Sequence, residues 1–337
     1  MAILSTRQLT AGYRKGSIIT PILTDLNLNL KQGALVALVG ANGIGKSTLL
    51  RTIVGNHPPL SGEISISGNN INEISRQELA LSLSIVTTDR TQAGGLTVKE
   101  LVSLGRQPYT GFLGILGKQD RKIIEESLTA TGIAHKAHNF VAELSDGERQ
   151  KAMIAKALAQ QTPLIILDEP TAFLDVESRM ETMLLLHNLA HKQNKAILFS
   201  SHDLSQSLLL ADELWIVTHD RQLISGNTED LALSGALNRI FASNHIRFDQ
   251  KQGDFCINVP CQYKVNLICK DKILNRWIRN ALRRNDIATD STRQSKITID
   301  ASSPQSGIIL YLQQKAITVK TITELISSIR RISPELF

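Results

Sequence analysis

The sequence predicts an α/β protein in which a parallel, helix-covered sheet is interrupted by a helical insertion and followed by a small α+β unit. Three observations carry that expectation. The runs G-A-L-V-A-L-V-G (33–40), L-I-I-L (164–167) and A-I-L-F (196–199) are continuously apolar, as strands buried on both faces of a sheet are. Helical periodicity lies between them. After Asp230 the character of the text changes, and 337 residues exceed the usual single core and suggest two domains.

The elements follow in order. From Leu4 to about Gly68 the chain reads as strands with turns, within which the strand ending at Gly40 feeds a loop and a helix beginning near Lys46. Residues from about Thr97 to Ala159 are mostly helical in pattern, with loops at Gly105 to Gly117 and around Asn139. A helix of period 3.6 runs through Met180 to His191, between the strands at 164–167 and 196–199. Alternating buried strands and helices argue for a parallel sheet. Residues 232–262 read as a linker with short strands, and 263–335 as strand, helix, two or three strands and helix. In the last helix Ile322, Leu325, Ile326, Ile329 and Ile332 form a stripe suited to packing on that unit's own sheet.

Composition is that of a globular protein, with 42% hydrophobic and 20% charged residues. No run approaches the ~18 apolar residues of a membrane-spanning helix. The first ten residues lack a charged-then-apolar signal layout, so the expectation is a cytosolic chain with any membrane role left to a partner. Cys256, Cys261 and Cys269 fit no common zinc spacing and read as reduced structural thiols. Charge is uneven. Residues 1–231 carry 21 Lys+Arg against 23 Asp+Glu, whereas residues 232–337 carry 16 against 8. Such a basic tail suits nucleic acid, anionic lipid or simply a solvated face, and Trp277 with Arg276 to Arg284 marks the surface to probe.

The chemistry lies before that tail. G-A-N-G-I-G-K-S-T (40–48) fits G-x-x-x-x-G-K-[ST] between a buried strand and a helix. In that context the backbone N–H groups around Gly40, Asn42, Gly43 and Gly45 curl about phosphate oxygens with a helix dipole behind them. Lys46 then reaches the β- and γ-phosphates, Ser47 ligates Mg²⁺, and Thr48 closes the motif. L-I-I-L-D-E-P (164–170) ends an apolar strand in two acids, placing Asp168 where it can hold Mg²⁺. Mg²⁺ takes few protein carboxylates, so Glu169 is free to orient the attacking water and accept its proton. His202 follows a third strand and can donate to a γ-phosphate oxygen. In L-S-D-G-E-R-Q (144–150), Ser145 and Glu148 form a capping box. That leaves Gly147 unexplained, since glycine in a first helical turn costs about 0.5–1 kcal/mol relative to alanine.

Taken together, the phosphate loop, L-S-D-G-E (144–148), the acidic strand, T-A-F-L-D (171–175) and His202 resemble, in order and approximate spacing, the ATP-binding cassette (ABC) transporter ATPases over residues 1 to about 230. The resemblance implies a P-loop fold with a parallel core sheet, an antiparallel β subdomain and a helical insertion. It implies a nucleotide-binding domain over 1–230 with a helical subdomain at about 97–160, a linker at 231–262 and an accessory α+β domain at 263–337. ATP and Mg²⁺ are the implied cofactors, and Tyr13 matches the residue that stacks on adenine.

In such ATPases two subunits meet head to tail. Ser145, Gly147 and Asp175 would then face a nucleotide held by the other copy, with Gly147 giving its phosphate room. Asp146 stands where glycine is commonest and is expected to point away. The strand S-I-V-T-T-D-R (84–90) should end in a glutamine that helps bind Mg²⁺; Thr88 holds that place.

Within the family, L-G-R-Q-P-Y-T-G (104–111) and T-A-F-L-D look most like ATPase subunits of importers for iron complexes (siderophores or haem) and cobalamin. The implied partners are a membrane permease dimer, a substrate-binding protein and a second cassette, at the cytoplasmic face of the membrane. The rival reading is a soluble cassette ATPase acting on nucleic acid or ribosomes, suggested by the basic tail. Such proteins tend to carry two cassettes or a long coiled-coil insertion, and this sequence shows neither, so nucleic acid is not expected as a partner.

Overall fold

In the computed structural model the described residues are 2–87, 95–110, 114–243, 245–250, 253–257, 260–290, 295–302, 307–312 and 315–331. They fall into two units, Met1–Cys256 and Ile257–Phe337.

The first unit begins with β1 (Ala2–Lys15), β2 (Ile18–Leu26), β3 (Asn29–Lys31), β4 (Leu35–Gly40), α1 (Lys46–Ile53), β5 (Ser61–Ile66) and β6 (Asn69–Asn70). It continues with α2 (Arg76–Ser82), β7 (Leu83–Val86), α3 (Val98–Ser103), α4 (Lys118–Ala130), α5 (Asp146–Ala159), β8 (Leu164–Leu167), α6 (Val176–Gln193) and β9 (Ala196–Ser201). α7 (Leu204–Leu210), β10 (Glu213–Val217), β11 (Leu223–Asn227), α8 (Thr228–Ser234), β12 (Ile246–Asp249) and β13 (Asp254–Ile257) complete the series.

β1 pairs antiparallel with β2, β3 and β5, giving the antiparallel sheet. The core sheet has the order β11-β10-β4-β9-β8-β7, parallel except for its β11 edge. Its continuous apolar runs conceal a strict alternation. Val36, Leu38, Leu164, Ile166, Ala196 and Leu198 enter the core shared with the antiparallel sheet and α1. Leu35, Ala37, Val39, Ile165, Leu167, Ile197 and Phe199 enter the opposite core, against α5 and α6. Neither face meets water, which is why hydrophobicity alone shows no period of two.

The helical insert has its own core, from Val98, Leu101 and Val102 of α3, Ile123, Ile124 and Leu128 of α4, and Ala152, Ala155 and Ala159 of α5. α5 serves two cores, since its Ile154, Ala157 and Leu158 face the sheet. Within the stretch expected as a loop, 105–117, Leu104–Tyr109 is a short 3₁₀ helix. Arg106 fixes it. Though 4% exposed, its guanidinium bonds Asp120 (2.9 Å) and the carbonyl of Ala159 (2.8 Å), and it stacks on Tyr109. The pairing and that carbonyl satisfy a charge that would otherwise be costly to bury.

The expected linker needs a second correction. Leu231, Leu237, Ile240 and Phe248 are buried in the first unit's core, so 231–256 belongs to that unit and the division falls after Cys256. Apolar spacing there is too short and irregular to announce a packed helix, a 3₁₀ turn and a hairpin.

The second unit contains β14 (Tyr263–Ile268), α9 (Lys272–Arg283), β15 (Ile287–Asp290), β16 (Ile297–Asp300), β17 (Ile308–Leu312), β18 (Lys315–Val319) and α10 (Ile322–Arg330). Among the described residues four strands, not two or three, follow α9. The sheet order is β15-β14-β16-β17-β18, with β14 parallel to both neighbours and β17 antiparallel to both of its own. Ile278 and Leu282 of α9 and Leu325 and Ile329 of α10 pack over Val265, Ile299 and Leu310. Ile332, placed on the α10 stripe from sequence, lies outside the described residues. None of Cys256, Cys261 and Cys269 forms a disulfide among the described residues.

Candidate functional site

Three adjacent parallel strands, β4, β9 and β8, deliver their following loops to one edge of the core sheet. That edge gathers the 40–48 loop, Asp168 with Glu169, and His202. The loop turns into α1 at Gly45, whose φ of +123° is the left-handed side that glycine adopts freely, and where a Cβ would lie 2.5 Å from Ile22. Lys46 is 5% exposed and donates to the carbonyls of Gly40 (2.8 Å) and Ala41 (3.2 Å). Burial pulls its ammonium pKa down, opposed by the nearby charges of Glu169 and Asp168.

Ser47 donates to Asp168 Oδ1 across 3.3 Å. Ser200, two residues before His202, donates to the same Asp168 oxygen (2.6 Å) and accepts the backbone N–H of Glu169 (2.8 Å). One hydroxyl on β9 thereby fixes both acids at the end of β8. Glu169 has a φ of +47°, uncommon for a residue with a side chain, and its carbonyl accepts from Ala172 N (3.0 Å). His202 Nδ1 stands 3.6 Å from Glu169 Oε2. Tyr13 is 44% exposed; its hydroxyl bonds Thr48 Oγ1 (2.8 Å) and its ring meets His57 edge-on. Thr88 lies outside the described residues.

Gly147 and Asp175 meet at Ser178, and Ser145 stands two residues before Gly147. Ser145 caps α5, accepting from Glu148 N (3.2 Å), while its own N–H donates to the Glu148 carboxylate (3.0 Å). Asp175 caps α6 and accepts from the N–H and the hydroxyl of Ser178, both at 2.9 Å. The N–H bond is the main reason its carboxyl lies below the usual range.

Gly147 is buried, and a Cβ on it would stand 2.6 Å from Ser178 Oγ. The close approach that forces glycine is therefore within this chain, between α5 and α6; room for a foreign phosphate is not needed to explain it. Asp146 turns along its own helix to Arg149 (3.4 Å). Arg179, next to Ser178, bonds the carbonyl of Leu174 (2.9 Å) and the carboxylate of Asp203 (3.2 Å), tying the 171–175 loop to the residue after His202.

Ser200, Ser178 and Arg179 were not singled out from sequence. Each acts through a partner on another element, and only the S-S-H-D run places Ser200 near a residue already chosen.

A sequence model of the family described as ABC transporter matches residues 23–172. The chain is 35% identical to the iron(3+)-hydroxamate import ATP-binding protein FhuC of Bacillus subtilis, over 72% of this chain and 88% of that protein. It is 32% identical to the ferric enterobactin transport ATP-binding protein FepC of Escherichia coli, over 77% and 94%. Among solved structures it is similar to an ATP-binding cassette determined as a dimer in a post-hydrolysis state with ADP and Pi, with a TM-score of 0.58 and 28% identity over 67% of this chain and 98% of that one.

Proposed function

Since the chain belongs to the ABC transporter family of ATPases, we propose that it is the ATP-hydrolysing subunit of an importer, powering uptake of an iron complex (siderophore or haem) or cobalamin through a partner permease. The cargo rests on one observation, the likeness to two ATPases named for import of iron chelates over nearly their whole lengths.

The residues at the sheet edge fit ATP with Mg²⁺. A buried ammonium sits in a loop of backbone donors, and a hydroxyl and a carboxylate oxygen, the hard ligands Mg²⁺ prefers, stand 3.3 Å apart. When bound, the cation would supply positive charge to the phosphoryl oxygens, and Ser47 and Asp168 would hold it. Lys46 exchanges its two carbonyl partners for phosphoryl oxygens, a charge-assisted and stronger pairing. Ser200 sets Asp168 and the peptide of Glu169 at once, so the Glu169 carboxylate meets the attacking water and takes its proton. His202 donates a ring N–H to the γ-phosphoryl group, and Tyr13 stacks on the base.

In a head-to-tail pair, Ser145, the backbone at Gly147, and Asp175 serve the nucleotide of the second copy. The similar cassette determined as a dimer supports that pairing. No helix among the described residues is long and apolar enough to cross a membrane. In this reading a separate permease dimer docks on the helical insert at the cytoplasmic face of the membrane, fed by a substrate-binding protein.

Glu169→Gln tests the reaction. ATP turnover falls by about 10²–10⁴-fold while ATP binding persists and an ATP-loaded dimer accumulates on gel filtration; undiminished turnover refutes the assignment. Copurification with the permease, and stimulation of ATPase by one loaded binding protein among iron-chelate and cobalamin candidates, tests the cargo.

A further inference from the structure

The second unit carries a surface that nucleotide hydrolysis does not use. α9 lies with Ile278, Ala281 and Leu282 buried, and Leu274 packed on the same core. Its other side is unusual. Ile273 is 73% and Trp277 57% exposed, one helical turn apart and on one stripe with Arg284. Lys272, Arg276 and Arg283 flank that stripe, all exposed.

These cations are not spent within the fold. Among the described residues none of Lys272, Arg276, Arg283 and Arg284 forms an ion pair. Asp271, beside Lys272, is engaged as the helix cap, accepting from Ile273 N (2.8 Å) and Leu274 N (3.0 Å), and Asp286, two residues after Arg284, accepts from Gln262 N (3.1 Å). Arg330 of α10 adds a further cation by bonding Asn285 (2.9 Å), just past the end of α9.

We propose that the outer face of α9 docks on an anionic lipid surface. Ile273 and Trp277 enter the headgroup region, and Lys272, Arg276, Arg283 and Arg284 meet the lipid phosphates. The pattern is that of an interfacial helix, with an indole and an aliphatic side chain set among basic residues. Charge complementarity alone would also suit nucleic acid. Ile273 distinguishes the two, because an aliphatic chain beside the indole gains nothing on a phosphate backbone but is desolvated among lipids. The contact needs only the second unit, and it stands whether or not the first unit drives import.

The chain has two tryptophans, and Trp215 is fully buried in the first unit, so changes in quenching report Trp277. The full-length protein is mixed with phosphatidylcholine vesicles with and without phosphatidylglycerol. With phosphatidylglycerol, we expect the emission to shift to the blue, acrylamide quenching to fall, and the protein to cosediment, less so as salt rises. Each cation near such a surface contributes about fivefold in binding, so Arg276→Glu with Arg284→Glu weakens cosedimentation by more than about twentyfold while the second unit's thermal transition, which reports the fold of that unit, and ATPase activity are unchanged. Trp277→Ala also weakens it. Equal binding to phosphatidylcholine alone, wild-type binding by the double variant, or a Trp277 response to single-stranded RNA but not to vesicles each overturns the proposal.

Discussion

At Gly147 the requirement for a missing side chain comes from Ser178, whose hydroxyl would stand 2.6 Å from an added methyl. Gly147→Ala should therefore destabilise the protein by about 1–3 kcal/mol, as overpacking does. In a Ser178→Gly background that cost should shrink toward zero, measured as a double-mutant cycle in urea. A cost independent of Ser178 would place the constraint elsewhere. At this scale the sequence was most legible where chemistry is local. Lys46, Ser47, Asp168, Glu169 and His202 each sit in a short run of telling neighbours, and the sheet brings them together as their strands require. Ser200 was not legible in the same way, because its two partners lie on another strand, 32 and 31 residues away. A serine reveals nothing of such a bond until the register of β8 and β9 is known.

Among the elements, α2, α3 and α5 begin alike, with capping boxes Ser75–Glu78, Thr97–Glu100 and Ser145–Glu148. In each, the backbone N–H of the cap residue is the main cause holding the glutamate below the usual carboxylate range. Folding therefore favours the ionised form. The stabilisation is complete above the unfolded value of about pH 4.3 and is lost as pH falls through the lower folded values. Hydrogen-exchange protection factors at the first turns of α3 and α5, corrected for the intrinsic exchange rate at each pH, should fall on acidification below about pH 4.3, and Glu148→Gln should remove most of that dependence at α5. Flat protection across this range would refute the link.

The α5 cap could be read from sequence because its residues are three apart. The 3₁₀ helix at Leu104–Tyr109 could not, since it rests on Arg106 reaching Ala159 and Asp120 across the helical insert. Glycine and proline in that stretch signalled only a loop.

On the scale of the molecule, two units with separate cores predict two unfolding transitions by calorimetry. ATP with Mg²⁺ at a hundredfold excess over Kd should raise the first unit's transition by about 5–10 °C and leave the other where it is. A single transition moving as one would mean that the units unfold together. The shift in charge and pattern after Asp230 led to an expected boundary there, whereas 231–256 packs with the first unit through scattered residues such as Leu237 and Phe248. The central sheet has a consequence for how this protein can change over generations. With β4, β8 and β9 lodged between two cores, they have no side on which substitutions can accumulate unseen. Drift is left to the loops at the strand ends, and one set of those loops is committed to chemistry. The opposite edge is where the lineage has freedom to vary.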